Sequence, residues 1–336
     1  MAKIRTMLAR LPQLLAATSV VGAGVAFVQD DRIEVAAAGT RDASGGRPVT
    51  ADTVFDVASL TKPLVAFAAL QLVDERVLDL NQPLSEFTRL LVPDDPRSAR
   101  ITAYHLLTHT CGLQNVRGKE PLRMFFEPGA WFSYSSLGFM YLQLAVEAKT
   151  GEPLETTIRR LVFEPLGMVS SSLEWRDVFA KNQAAAHDAG ARLAPHRPAA
   201  ANASYSLKTT ASDYAKFARA VLRGDRLRRD TWEQWFAPAV MVPSREIERL
   251  HAPPEMTEPD IGWALGWGVE PIPNTFFHWG KMAGMRSFVM GSRPRGTALV
   301  VLTNCNTGLR LATELVVATL PDSHAAMRWL REGVTE

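Results

Sequence analysis

Phe55-Asp56-Val57-Ala58-Ser59-Leu60-Thr61-Lys62-Pro63 is the stretch from which the rest of the chain can be read. A polar, glycine-rich loop from Gly39 to Pro48 leads up to it. A helix begins around Ser59 and continues through Val65, Ala66, Ala69, Leu70 and Val73. Ser59 and Lys62, three apart at the start of that helix, share a face. Free backbone N–H groups and the helix dipole favour negative charge developing at Ser59. The same positive helix end, together with desolvation, disfavours the charged form of Lys62. A lysine that gives up its proton can activate a serine that is otherwise a weak nucleophile. Pro63 is tolerated so early because its missing N–H would have been unpaired anyway. Of the eight lysines, Lys62 alone has a serine three residues before it. The plainer reading, a helix cap followed by a surface lysine, stays open on these residues alone.

Two further stretches bear on the chemistry. Phe132-Ser133-Tyr134-Ser135-Ser136-Leu137-Gly138 places a tyrosine in a polar loop just before an apolar helix, behind the turn Pro128-Gly129. A phenol hydrogen-bonded to an ammonium ionises more easily, so Tyr134 beside Lys62 would serve as base and then as acid. The other reading of Tyr134 is a ring packed at a helix start. His278-Trp279-Gly280 ends one strand and faces the next, Arg286 to Met290, and a glycine there lets a substrate lie close against a strand edge. Other signatures are set aside. There is no Gly-x-Ser-x-Gly and no P-loop, and Gly22-Ala23-Gly24 lacks the third glycine of a dinucleotide site. His105 and His109 have the spacing of zinc ligands on a helix. Leu106 stands where zinc proteases carry glutamate, and no third ligand follows nearby, so a structural role is expected and no metal.

Working outward, Gly24 to Gln29, Asp30-Asp31 and Arg32 to Ala38 read as strand, turn, strand. Residues 80 to 200 read as mostly helical with Pro and Gly breaks, 184 to 201 as a surface loop and Ser212 to Leu222 as a helix. Short strands return at Gly266 to Val269, Thr275 to His278, Arg286 to Met290 and Ala298 to Thr303, before helices at Leu309 to Ala318 and Ala325 to Leu330. Strands at both ends with helices between predict an α+β fold, because strand and helix do not alternate regularly. One discontinuous α/β sheet domain, residues 1–75 and 205–336, would enclose a mostly helical lobe, 76–204.

The 336 residues are 47% hydrophobic, enough for a large core, and 37 basic against 35 acidic residues give no charge-driven affinity for nucleic acid. Cys111 and Cys305 cannot form a disulfide framework. Near the N-terminus Lys3, Arg5 and Arg10 precede an apolar run, as in a signal peptide. Ile4, Met7, Leu8, Leu11, Leu14 and Leu15 instead recur at helical spacing. An integral amphipathic helix and a cytoplasmic location are expected, with a periplasmic or secreted location if the segment is a cleaved signal. No apolar run reaches the ~18 residues that would span a bilayer.

Taken together, the motifs resemble the serine β-lactamase-related hydrolases of the class C type, which include family VIII carboxylesterases, D-aminopeptidases and low-molecular-weight penicillin-binding proteins. The resemblance runs from about Gly24 to about Leu330. It is carried by Thr53-Val54-Phe55 with the Ser59 stretch, by His105 to Leu113 and by Phe132 to Gly138. Thr209 to Tyr214, Leu265 to Gly268, His278-Trp279-Gly280 and Val301 to Asn304 complete it. It implies a β-lactamase/transpeptidase-like fold: an antiparallel sheet built from both termini, flanked by helices, with an inserted helical lobe. It also implies that Ser59 is acylated, that Lys62 and Tyr134 handle protons, and that the backbone N–H groups of Ser59 and Lys281 form an oxyanion hole. No cofactor is implied.

Two positions depart from the β-lactamase pattern. Ser136 stands where the tyrosine motif ends in Asn, and His278-Trp279-Gly280 where Lys-Thr-Gly holds a substrate carboxylate. A neutral His278 holds an anion less well than a permanent cation, and Trp279 makes the cleft more apolar. The expectation is therefore a carboxylesterase on small esters with at most weak β-lactamase activity, Ser136, His278, Trp279 and Gly280 meeting the substrate. The alternatives are a D-aminopeptidase or D-alanyl carboxypeptidase, a true β-lactamase, or a catalytically silent penicillin-recognising protein. A small ester or amide is the expected partner. Trp263 and Trp267 are read equally as core or acyl pocket, and Cys111 as buried and inert.

Overall fold

A computed structural model describes residues 2–320 and 323–333. Helices α1 (Ala2–Ala9) and α2 (Leu11–Thr18) precede the hairpin β1 (Gly22–Gln29) and β2 (Arg32–Gly39). Strand β3 (Phe55–Asp56) runs through a 3-10 turn, Ala58–Leu60, into α3 (Thr61–Asp74). Helices α4 (Ala103–Leu107), α5 (Ser136–Thr150) and α6 (Leu154–Ile158) follow, then a π-helical turn and α7 (Glu164–Leu166). A short hairpin, β4 (His187–Asp188) and β5 (Ala191–Arg192), precedes β6 (Lys208–Thr209), α8 (Ala211–Arg223) and α9 (Arg229–Gln234). Strands β7 (Val240–Pro243), β8 (Thr257–Trp263), β9 (Gly268–Glu270), β10 (Thr275–Met282), β11 (Met285–Ser292) and β12 (Thr297–Thr303) lead to α10 (Gly308–Thr319) and α11 (Ala325–Gly333). The fold is α+β.

The chain divides into two compact units, each discontinuous in sequence. The first comprises Met1–Leu64, Ile158–Asp225 and Thr275–Ser323. Five of its strands lie in the order β2-β1-β12-β11-β10, all antiparallel. Val25 sits opposite both Ala36 and Val301, so an N-terminal strand is paired with a C-terminal one and the sheet is built from both chain ends. β1 and β12 are almost wholly buried, as continuous apolar runs are when both faces of a strand are covered, whereas β2 is a half-exposed edge. Helix α8 packs on β1 and β12, and α10 packs on β11, β12 and α2. Thr210 caps α8 by accepting from Asp213 N, and Gly224 ends it in the left-handed conformation. Ile4, Leu8, Leu11 and Leu15 are buried and Met7 and Leu14 half-buried, on two short helices where the spacing predicts one.

The second unit comprises Val65–Thr157, Arg226–Asn274 and His324–Glu336. In it β8 pairs with β7 and β9, and α11 packs on β8 and β9. Buried Glu270 fixes the start of α11, accepting from Ala326 N at 2.9 Å and from His324 Nδ1 at 2.7 Å. Between residues 80 and 200 helices are fewer than the apolar spacing suggests; much of 109–135 and 167–186 is loop. β8 escaped the strand pattern because Thr257, Glu258, Pro259 and Asp260 show no apolar alternation. Among the described residues no helix is long and apolar enough to cross a membrane.

Candidate active site

The Ser59 turn is built in the first unit. Phe55 and Asp56 pair with Thr209 and Lys208, and Val57 N donates to Leu207 O at 3.1 Å. The chain then reverses at Ala58, whose φ of +47° costs a non-glycine residue about 1–2 kcal/mol. Surrounding bonds hold it there. Thr61 Oγ1 donates to Ala58 O at 2.7 Å, Leu207 N to Thr61 Oγ1 at 3.0 Å, and the Tyr214 hydroxyl to Leu60 O at 2.9 Å. Ser59 consequently lies in the 3-10 turn, and Lys62 is the second residue of α3 rather than part of a helix begun at Ser59. Ser59 is half-buried and Lys62 fully buried. Lys62 Nζ lies 3.0 Å from Ser59 Oγ and donates to Ser204 O at 2.9 Å. Burial holds the Lys62 ammonium far below the usual lysine range, so the amine can offer its lone pair to the serine hydroxyl. Asn202 fixes Ser204 in turn, its Oδ1 accepting from Ser204 N and Oγ.

Strand β10 closes on this turn. A Cβ at Gly280 would stand 2.1 Å from Val57 O and 2.2 Å from Ser287 Oγ, and Ser287 Oγ itself donates to Val57 O at 2.7 Å. Only glycine allows that approach, which brings the backbone leading into Lys281 against the turn that carries Ser59. Gly280→Ala is expected to cost about 2–3 kcal/mol in denaturant unfolding, because the displaced atoms are backbone and a bonded hydroxyl. An unchanged midpoint would mean that β10 can retreat freely. His278 is fully buried, and burial, then the charge of Lys62, pushes its imidazolium pKa down to about 3 against the bond to Trp279 O. Its Nδ1–H donates to that carbonyl at 2.8 Å, and the two rings stack 5.3 Å apart. Trp279 is buried, and Lys281 is exposed. Arg286 clamps the hairpin turn by donating to Met282 O, Met285 O and Asn306 Oδ1.

Tyr134 and Ser136 belong to the second unit. Tyr134 N donates to Ile247 O at 2.8 Å, and its buried ring packs on His109 at 4.2 Å and edge-on to Trp263 at 5.9 Å. His109, itself at φ +55°, accepts from Ser135 N through Nδ1 at 3.0 Å, which places its proton on Nε2. Ser135 caps α5 through Gly138 N, while Ser136 N donates to Asn115 Oδ1 at 3.0 Å. The loop bearing Tyr134 is thus pinned by a histidine, an asparagine and the 247–249 segment, where Trp131 Nε1 also donates to Arg249 O. Thr102 caps α4 by accepting from His105 N, and His105 Nδ1 accepts from Thr102 N in return. Trp263 and Trp267 are wholly buried core, and burial pushes the Cys111 thiol up to about 11.

Several contributors left no readable trace in the sequence. The Ser204 carbonyl that receives Lys62 belongs to the main chain and has no side-chain signature. Lys208 and Asp56 form a buried ion pair just before the Ser59 turn, joined by Gln183 and His196. The pairing follows from residues 152 apart and could have been found only by knowing that β3 and β6 are neighbours.

Comparison with known proteins adds the following. The family model described as Beta-lactamase matches residues 8–319. Esterase EstB of Burkholderia gladioli is 36% identical over 166 residues, covering 39% of this chain, and the match spans 41% of that protein's length. Penicillin-binding protein 4 of Amycolatopsis lactamdurans is 26% identical over 88% of this chain and 84% of its own. A solved class C beta-lactamase superposes with a TM-score of 0.77 over 96% of this chain and 97% of its own, at 19% identity, a likeness of fold.

Proposed function

This chain belongs to the Beta-lactamase family, and on that premise we propose that it is a serine hydrolase working through an acyl-enzyme on Ser59, acting chiefly on small carboxylic esters. The observation that carries the reading is the fully buried Lys62 amine 3.0 Å from Ser59 Oγ. In this mechanism Ser59 Oγ attacks the acyl carbon while Lys62 takes its proton. The oxyanion is received by the backbone N–H groups of Ser59 and Lys281, a contribution of about 3–4 kcal/mol where such donors are preorganised. Tyr134, assigned by its motif, returns a proton to the leaving alcohol. Water then attacks the ester carbon, and the acid leaves with Ser59 restored.

Ester preference follows from what surrounds the strand edge. Ser136, Trp279 and Gly280 are proposed to meet the substrate. His278 is buried and neutral, so its proposed part is to leave that position without the cation a β-lactam carboxylate would need. The partial match to an esterase supports the same choice. The test is to treat wild type and Ser59→Ala with a fluorophosphonate and locate the adduct by peptide mass spectrometry. Turnover of p-nitrophenyl butyrate, a chromogenic cephalosporin and a D-alanyl peptide is then compared. An adduct on Ser59 and fastest turnover of the ester are expected; an unlabelled, inactive wild type would sink the enzyme reading, and a faster cephalosporin the ester preference. Tyr134→Phe should lower acylation about 10²-fold, the usual worth of a positioned acid–base group, in stopped-flow release of p-nitrophenol.

A further inference from the structure

The first unit holds a cavity of about 300 Å³ at the end of β10, lined among others by Asp42, Arg47, Asp56, Arg192, Arg197 and Met282. Two of its lining residues adjoin site residues along the chain. Asp56 is three residues before Ser59, a separation of at most about 11 Å along the chain, and Met282 directly follows Lys281. The cavity is built in advance of any ligand, because the segment that roofs it is tied down at several points. Ala184 N donates to Val54 O, Ala185 N to Arg41 O, His187 N to Gly284 O and Leu193 N to Ala186 O.

The charges on its wall do not cancel. Asp42 is buried and already accepts from Ser44 N, Ser44 Oγ and Arg192 Nη1. Asp56 is equally buried and accepts from Lys208, Gln183 and His196. Both carboxylates are therefore satisfied, and Arg192 is committed to Asp42. Arg47 and Arg197 remain exposed at the wall; Arg197 lies over the Trp175 ring at 4.5 Å, which orients it without neutralising it. The wall also carries apolar side chains of Ala184, Ala186, Leu193, Met282 and Met285. A small chamber of mixed lining with two uncommitted arginines suits a short acyl chain that ends in a carboxylate.

We propose that this cavity receives the remote carboxylate of the acyl group, so that the preferred substrates are half-esters of short dicarboxylic acids. The inference rests on the serine hydrolase reading and names its substrate class. The bond changes are those of that reading: Ser59 Oγ replaces the alcohol on one acyl carbon, and water then replaces Ser59 to release the free dicarboxylate. It also accounts for a missing cation. Where the related enzymes hold a carboxylate by lysine this chain has neutral His278, and the arginines supply the positive charge elsewhere.

The test compares p-nitrophenyl hemiglutarate with uncharged p-nitrophenyl butyrate. Wild type should favour the hemiglutarate about tenfold in kcat/KM. Arg47→Ala with Arg197→Ala should remove that preference, chiefly through KM, and leave the butyrate unchanged. Arg310→Ala, an exposed arginine outside the cavity, should alter neither substrate. Equal rates for the two esters in wild type, or a preference that survives loss of both arginines, overturns the proposal. Glutarate itself should compete with the butyrate; activation without competition would mark a separate effector site and equally overturn it. Failure of the parent reading looks different: Ser59→Ala would still turn over esters, while calorimetric binding of glutarate to that variant would continue to depend on Arg47 and Arg197.

Discussion

Ser59→Ala is expected to lower ester turnover on the order of 10⁵-fold while leaving the fold in place. The size follows from the chemistry. Without Oγ no acyl-enzyme forms, and what survives is substrate binding and the two backbone donors acting on a water. The intactness of the fold follows from the contacts. Ser59 is half-buried, its hydroxyl meets Lys62, and Lys62 keeps its bond to Ser204 O when that hydroxyl is gone. The turn itself is held by Thr61, Leu207 and Tyr214 through bonds to Ala58 O, Thr61 Oγ1 and Leu60 O that do not use the serine hydroxyl. Unfolding free energy should therefore change by less than about 1 kcal/mol. A variant that loses activity and also melts early would say only that the turn collapsed. A stable variant that retains activity would move the nucleophile elsewhere.

The parts of this site that could be read from sequence are those whose side chains do chemistry at fixed spacing. Ser59 and Lys62 sit three residues apart because one turn of chain is enough to bring them together, so their pairing is local and visible. The hairpin at Asp30 and the helix that includes Ser212 to Leu222 were legible for the same reason: short-range patterns report short-range geometry. Gly280 reads as a place where a substrate lies close, yet what it approaches in the structure is Val57 O, 223 residues earlier in the chain. The strained Ala58 also left no mark, because a left-handed alanine is imposed by tertiary bonds and not by its own preference. The arginine-walled cavity assembles from five separate segments and has no linear motif at all.

Lys62→Arg and Lys62→Met separate two properties that one lysine combines. Arginine keeps a cation that cannot be deprotonated, at a fully buried position. Methionine keeps the apolar stem and removes the amine. Each should lower acylation about 10³-fold, since neither can accept the Ser59 proton. Their stabilities should diverge. The Lys62 pKa in the fold lies well below its unfolded value, about 10.4, because burial disfavours the ammonium. Between those two pKa values the unfolded chain binds a proton that the folded chain does not. Stability therefore falls as pH drops from about 10.4 towards the folded pKa, and levels off below it. Methionine abolishes that penalty, so its effect on stability should become less favourable as pH rises from 7 to 10, whatever its constant cost from the bond lost at Ser204 O. Urea unfolding of wild type and Lys62→Met at both pH values measures the difference directly. The same proton should appear in catalysis, with wild-type kcat/KM rising with pH through the folded pKa of Lys62 and flat above it. If the stability difference between the two proteins is the same at pH 7 and pH 10, Lys62 is charged in the folded protein, and it cannot be the group that takes the serine proton.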